Sequence, residues 1–175
     1  MKPVISYRFN TATLNPALFA FLFSFHSSLL VADDAQTAEV DSFWAKISKS
    51  VSKGDFEAYR SAHHPDAVLV VNGKSQSMEG AHKAFQRGFN DTAAGTVKAG
   101  IEFRWTQRSV GVDTAFQKGV FRYWSEASGN SYTEYTQFEA ILVKGDKGWK
   151  LLVQKQYKAL TEEDWDAITD GEIEE

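Results

Sequence analysis

Residues 54–80 read GDFEAYRSAHHPDAVLVVNGKSQSMEG, and this stretch decides the fold. Asp55 is a good N-cap for a short helix that carries Phe56 and Tyr59. The run His63-His64-Pro65 ends this helix, because the residue before a proline avoids the helical conformation.

The second half of the stretch predicts a strand and a further helix. Ala67 to Val71 is apolar and bounded by Asn72-Gly73, which indicates a buried strand followed by a turn. Ser77 can cap the next helix, whose apolar residues share one face. That face consists of Met78, Ala81, Phe85 and Phe89. Helix, strand, turn and helix in this order predict a curved sheet wrapped around helices, with an internal pocket.

Another helix precedes this stretch. Val40, Trp44, Ile47 and Val51 recur at helical spacing beside Phe43. Asp41 can cap its start and Gly54 can close its end. The stripe predicts an amphipathic helix whose aromatic residues face a core.

Strands dominate the later sequence. Residues 90–100 are rich in Gly, Ala and Thr and predict a loop. Alternating apolar residues and glycine turns then predict antiparallel strands. These are residues 101–106, 115–125, 131–144 and 149–158. Helices first and a sheet later favour the α+β class.

Three segments resemble the nuclear transport factor 2-like superfamily, especially its SnoaL-like and ketosteroid-isomerase-like members. Residues 54–71 are similar to its second helix and first strand, 78–85 to its third helix, and 148–152 to its last strand. The resemblance covers about residues 40–160. It implies a cone-shaped, curved antiparallel sheet wrapped around N-terminal helices, with a pocket at the open end and usually a homodimer. Members include isomerases, cyclases, dehydratases, hydrolases and binding domains, so the resemblance names no reaction.

Composition excludes several classes of site. The chain has no cysteine, which rules out disulfides, thiolate zinc sites and cysteine nucleophiles. Residues 33–160 hold 17 basic and 15 acidic side chains without a basic cluster, so nucleic-acid binding is not expected. Residues 161–175 hold eight acidic side chains and no basic one, which predicts a solvated acidic tail.

The N-terminus has the pattern of a targeting segment. Residues 1–32 contain Lys2 and Arg8 but no acid, and then a short apolar run. This pattern predicts a signal peptide and export to a periplasm or to the outside, with membrane attachment only if the segment is not cleaved. Residues 33–160 then form the single domain.

Candidate site residues on the helical side are His63, His64 and Tyr59. His63 or His64 could face the pocket as a general base, or could cap the helix at the surface. As a metal pair they lack a third ligand at recognisable spacing, so no metal site is predicted. Tyr59 could offer its hydroxyl to a ligand or lie in the core.

Candidate site residues on the strands depend on which sheet face lines the pocket. Period-two alternation places Lys155 and Tyr157 on one face with Trp149, Leu151 and Val153, which the resemblance makes the concave face. Glu139 beside Lys155 could form an acid–base pair, or a cross-strand ion pair at the rim. Further candidates for ligand contacts are Gln137, Trp105 and Tyr123.

Two functional hypotheses follow. One is a small-molecule protein that binds a partly apolar ligand and performs cofactor-free acid–base chemistry, with His63 and Glu139 as catalytic residues. The other is a non-catalytic module that dimerises or associates through its convex sheet. Neither hypothesis calls for a cofactor.

Overall fold

The computed structural model of the protein describes residues 34–168. The predicted signal peptide and residues 169–175 lie outside this range. The described elements follow in chain order: α1 Asp34–Lys53, α2 Phe56–Ser61, β1 His63–Val71, β2 Lys74–Ser77, α3 Met78–Ala93, β3 Lys98–Val110, β4 Thr114–Ala127, β5 Asn130–Gly145, β6 Gly148–Leu160 and α4 Glu162–Asp166.

Helix α1 buries the predicted apolar stripe. Val40, Phe43, Trp44, Ile47 and Val51 are all buried. The helix begins several residues before the expected cap at Asp41. It ends at Gly54 as predicted, where φ is +65° and an added Cβ would lie 2.3 Å from the Ala93 nitrogen. Glycine is required there because α1 ends directly against α3.

The short helix α2 and the following hairpin are built by local chemistry. The Asp55 side chain accepts a hydrogen bond from the Ala58 nitrogen, as expected of an N-cap. Asn72 and Gly73 both have positive φ, which makes the tight turn between β1 and β2. Strand β2 was not predicted because its four residues are polar and exposed and show no alternation. It exists because the turn folds it back onto β1.

Helix α3 starts at the predicted cap and runs further than expected. The Ser77 hydroxyl accepts from the Gly80 nitrogen. The predicted loop over residues 90–100 is wrong at both ends, since α3 continues to Ala93 and β3 begins at Lys98. Buried Phe89 anchors the last turn, and Gly95 with φ of +75° separates the helix from the strand.

The fold is α+β, with a six-stranded curved sheet in the order β2-β1-β6-β5-β4-β3. All neighbouring strands are antiparallel except β1 and β6, which are parallel. The inner face of the sheet packs against the helices. At its centre, the Trp44 ring contacts Phe103, Trp105 and Phe138 at centroid distances of 4.7, 5.0 and 5.9 Å.

The register shifts at four places in the described sheet, and two of the shifts are β-bulges beside the inner-core residues Trp105 and Leu151. The register shifts between Trp105 and Gln107 on β3, where Thr106 is the extra residue. It shifts again on β6, where Leu152 is the extra residue between Leu151 and Val153. A bulge bends its strand and moves the following side chains to the opposite face.

The bulge at Leu152 corrects the predicted faces of β5 and β6. Leu151 points inward, but the side chains of Lys155 and Tyr157 point outward, because the alternation restarts after the extra residue. On β5, buried Ala140 and Leu142 belong to the inner core, and Glu139 lies on the outer face. The period-two assignment therefore holds for Trp149 and Leu151 but is reversed on β6 after Leu152 and on β5.

The beginning of the predicted acidic tail forms a turn of helix on the outer face. Thr161 and Asp164 form a capping box, and Trp165 is buried. Arg104 donates to the Trp165 carbonyl, and its guanidinium lies 4.3 Å from the indole centroid. Residues 161–168 are thus anchored by one aromatic side chain rather than wholly solvated.

Beside its bulge, the backbone of β3 lies very close to Gly119 on β4. An added Cβ at Gly119 would lie 2.1 Å from the Arg104 carbonyl oxygen. Gly119→Ala should therefore lower the free energy of unfolding by about 2–4 kcal/mol, because backbone cannot yield as a side-chain tip can. Urea denaturation measures the change. Gly145→Ala is the matched control, since nothing lies within 4 Å of its Cβ position. Equal stability of the two variants would contradict the tight approach at the bulge.

Candidate functional site

An open cavity of about 600 Å³ lies between α3 and the inner face of the sheet. Its walls come from every helix except α4 and from all six strands. The lining residues are Val51, Tyr59, Leu69, Val71, Gln76, Met78, Gly80, Ala81, Ala84, Phe85, Gly88, Phe89, Thr92, Ala99, Ile101, Phe121, Tyr123, Tyr132, Glu134, Gln154 and Gln156.

One stripe of α3 forms the helical wall. Ala81, Ala84 and Gly88 recur at helical spacing and have small or absent side chains, which keeps the space open. Phe85 and Phe89 flank them, and Phe85 is 37% exposed at the opening. The apolar face predicted for α3 therefore serves the cavity as well as the core.

Tyr59 forms part of the apolar end of the cavity. Its ring packs against Phe89 at 4.8 Å and against His63 at 4.8 Å between centroids. No hydrogen-bond partner for its hydroxyl is found within residues 34–168. Burial raises the pKa of Tyr59 to about 12, so the phenol stays protonated and can donate.

Two buried imidazoles lie behind Tyr59. His63 Nδ1 is 2.9 Å from the Tyr59 carbonyl oxygen, which can only accept, so Nδ1 carries the proton. The His63 and His82 rings are 4.8 Å apart. Burial lowers the pKa of His63 to about 4 and also lowers the pKa of His82. Both rings are neutral at neutral pH, and neither lines the cavity.

Polar groups occupy two sides of the opening. Gln76, Gln154 and Gln156 project from β2 and β6 on one side. Tyr123, Tyr132 and Glu134 lie on β4 and β5 on the other side. The Tyr132 hydroxyl donates to Glu134 Oε2, and this bond raises the pKa of Tyr132. The cavity thus combines apolar walls with a few hydrogen-bonding groups at its rim.

The structure brings some of the predicted site residues together and separates others. Tyr59 and Tyr123 line the cavity. His63 is adjacent to it, behind Tyr59. His64 lies outside, where its Nδ1 accepts from the Asp66 nitrogen at 3.2 Å. Trp105 packs in the inner core, with the Arg108 guanidinium 5.2 Å from its ring.

The remaining predicted residues meet on the outer face. The Tyr157 hydroxyl donates to Glu139 Oε2, and Lys155 Nζ lies 4.4 Å from the Tyr157 ring centroid. This hydrogen-bonded contact with Tyr157 raises the pKa of Lys155. Gln137 lies nearby on the same face, opposite Val120. Glu139 and Lys155 are therefore cross-strand neighbours at the surface and do not face the cavity.

Sequence reasoning missed Gln76, Gln154, Gln156, Tyr132 and Glu134. The two glutamines of β6 were hidden by the bulge, which no pattern in that strand reveals. Tyr132 and Glu134 could have been found by simple alternation. They lie an even number of residues from Phe138, which faces inward, and the pairing of β5 with β4 has no register shift to reverse the faces.

Residues 34–168 contain no cluster of three or more His, Asp or Glu side chains that could hold a metal ion. Within the same residues no helix is both long and apolar enough to cross a membrane.

The buried imidazole of His63 predicts a pH-dependent stability. Its pKa is lower in the folded state than the ordinary 6.5, so the folded protein disfavours the protonated ring. The free energy of unfolding should therefore be insensitive to His63 above pH 6.5 and should fall below it, by roughly 2 kcal/mol between pH 7 and about pH 4.5. In His63→Phe this pH-dependent loss of unfolding free energy should vanish, since a phenyl ring occupies the same place but cannot be protonated.

Urea denaturation at both pH values measures the difference. His64→Phe is the matched control, because its side chain is 36% exposed and should leave the pH dependence as in the unaltered protein. An equal loss of stability in His63→Phe and the unaltered protein would show that His63 is not held neutral by the fold.

Comparisons with known proteins agree with this architecture. The model of the SnoaL-like domain matches residues 40–157. No curated protein matches the chain significantly. Among solved structures, a nuclear transport factor 2-like protein of unknown function from Shewanella oneidensis is similar, with 15% identity and a TM-score of 0.55 over 70% of this chain and 98% of that one.

Two other solved structures are similar in the same way. A conserved protein from Planctomyces limnophilus has 13% identity and a TM-score of 0.60 over 73% of this chain and 98% of that one. A protein from Catenulispora acidiphila in complex with S-DNPA has 16% identity and a TM-score of 0.57 over 71% and 95%. At these identities the likeness concerns the fold alone. With the domain match spanning most of its length, the chain belongs to the SnoaL-like domain family, and its fold is that of nuclear transport factor 2-like proteins.

Proposed function

We propose that this protein binds a small, partly apolar molecule in the cavity between α3 and the sheet. The cavity itself carries the proposal. Its volume of about 600 Å³ falls in the usual range for ligand sites, and its apolar walls end in a few convergent polar groups. The fold of this family hosts many functions, so the proposal of ligand binding is supported by this cavity and not by family membership.

Binding is favoured over acid–base catalysis by the positions of the two predicted catalytic residues. A general base must come within hydrogen-bonding distance of the proton that it removes. His63 is screened from the cavity by Tyr59, and Glu139 bonds to Tyr157 on the outer face. The groups that do reach the space are amides, phenols and the carboxylate of Glu134, which can orient a ligand by hydrogen bonds.

We also propose that the protein is exported. The support is the basic start and the short apolar run within residues 1–32. A ligand of a periplasmic or secreted protein would be met outside the cytoplasm.

A second candidate role is self-association through the outer face. Phe116, Ile141, Val153 and Val68 are directly paired across four neighbouring strands and form an apolar row there. Ile141 is 37% exposed. A continuous apolar row on an outer sheet face fits a second copy of the chain better than it fits water.

Self-association is tested by Ile141→Lys. A charge in the row should shift the protein from dimer to monomer, because the ammonium would be desolvated at the interface. Sedimentation velocity over a range of concentrations measures this shift. Val112→Lys is the control, since Val112 is 60% exposed in the turn between β3 and β4. A monomer at every concentration before substitution would refute the proposed dimer.

Ligand binding is tested by filling the cavity. Gly88 lies in its helical wall, and a Cβ added there meets nothing within 4 Å. Gly88→Trp should therefore fold normally and place an indole in the space. The neutral fluorescent probe N-phenyl-1-naphthylamine should bind the unaltered protein with increased emission, and the variant should lose at least tenfold in affinity.

Two further variants control this experiment. Gly88→Ala keeps the cavity open and should retain probe binding, with a small gain in stability from the better helix former. Gln86→Trp adds the same indole to an exposed position of α3 that does not line the cavity. Undiminished binding by Gly88→Trp, or no binding by the unaltered protein, would refute the cavity as the ligand site.

A further inference from the structure

Charged side chains are scarce around the cavity. Among its lining residues, all of which lie within 34–168, Glu134 is the single acidic side chain. No lysine, arginine or histidine is among them. A ligand carboxylate or phosphate would find no cation there and would face the Glu134 charge at close range.

Several acidic side chains of the sheet and α1 have basic partners, and within residues 34–168 Glu134 does not. Glu102 pairs with Arg122, Glu39 with Lys144, and Asp41 with Arg108. Glu134 is half-buried and has no basic partner within the described chain; its one hydrogen bond comes from the Tyr132 hydroxyl, on Oε2. A partly desolvated carboxylate without a counter-ion is unfavourable, and its other oxygen remains able to accept from a ligand.

Two aromatic rings stand beside this carboxylate. Tyr123 is directly opposite Glu134 in the β4–β5 ladder. The Tyr123 and Tyr132 ring centroids are 6.4 Å apart with planes inclined at 57°. Tyr132 is 54% exposed at the opening. Tyrosine faces attract organic cations, and together with a carboxylate they form the usual chemistry for recognising an ammonium group.

From this arrangement we propose that the ligand is an organic cation: an apolar body carrying a protonated amine. The amine lies between Tyr123, Tyr132 and Glu134, donating to Glu134 Oε1. The body extends along Phe121 and the apolar stripe of α3. The proposal rests on the proposed function, since it names the ligand class of the same cavity.

Three probes with one indole body test the charge preference. Tryptamine carries an ammonium, tryptophol a hydroxyl and indole-3-propionate a carboxylate on the same ring. Calorimetric titration of the full chain should give tryptamine an affinity roughly tenfold above that of tryptophol, with indole-3-propionate weakest. The amine preference should shrink at high ionic strength, because the site is open to solvent.

The structure supplies a matched pair of carboxylates for the variants. Glu134→Gln keeps an acceptor for Tyr132 but removes the charge, and should reduce the affinity for tryptamine severalfold while leaving that for tryptophol nearly unchanged. Glu139 is bonded by Tyr157 in the same manner on the outer face. Glu139→Gln should therefore leave all three affinities unchanged.

The outcomes separate this inference from the proposed function. Equal binding of tryptamine and tryptophol to the unaltered protein, with both blocked by Gly88→Trp, overturns the cation and leaves the cavity as a ligand site. An amine preference that is undiminished in Glu134→Gln also overturns it. Binding of none of the probes, N-phenyl-1-naphthylamine included, overturns both. The comparison of probes on the unaltered protein needs no variant, so it decides the question even if Glu134→Gln does not fold.

Discussion

The bend of the sheet is the constraint on which the rest of the structure depends. Thr106 adds one residue to β3 relative to β4, Leu152 adds one to β6 relative to β5, and a strand with such an excess bends. On β4, the absence of a side chain at Gly119 lets the backbone of β3 come close enough to bend. With a flat sheet, α3 would lie on the strands and there would be no space for a cavity. The bend therefore creates the volume that any ligand would occupy.

The same bulges distribute the polar side chains. After Leu152 the inward positions of β6 are Gln154 and Gln156, and the outward positions are Lys155 and Tyr157. The interior thus receives neutral amides, while the cationic side chain is placed outside. Because burial of an unpaired charge is costly, this distribution fits a cavity for molecules without negative charge, and it makes the single inward carboxylate of Glu134 stand out.

Beneath the cavity, the fold keeps two imidazoles neutral. His63 and His82 lie within an aromatic layer formed with Phe56 and Tyr59. Low local polarity disfavours the imidazolium form, which explains the lowered pKa of both rings. These histidines therefore contribute packing and one hydrogen bond to the Tyr59 carbonyl. A histidine pair in a sequence suggests acid–base chemistry, but burial decides whether the proton is available.

The sequence by itself determined the caps, the turns and the helical core faces. Asp55 and Ser77 act through neighbours a few residues away, so their effects can be read from local sequence. Gly54 closes α1 locally, but its close approach to Ala93 was set by the packing of α3. The α+β class followed from the order of the elements, and the family from the resemblance of three segments to known members. The tertiary structure alone decided which strand residues face inward, because a bulge arises between two strands and reverses the alternation beyond it. It likewise placed Glu139 outside and Glu134 inside, since a side chain's environment depends on the partner strand and not on the residue itself.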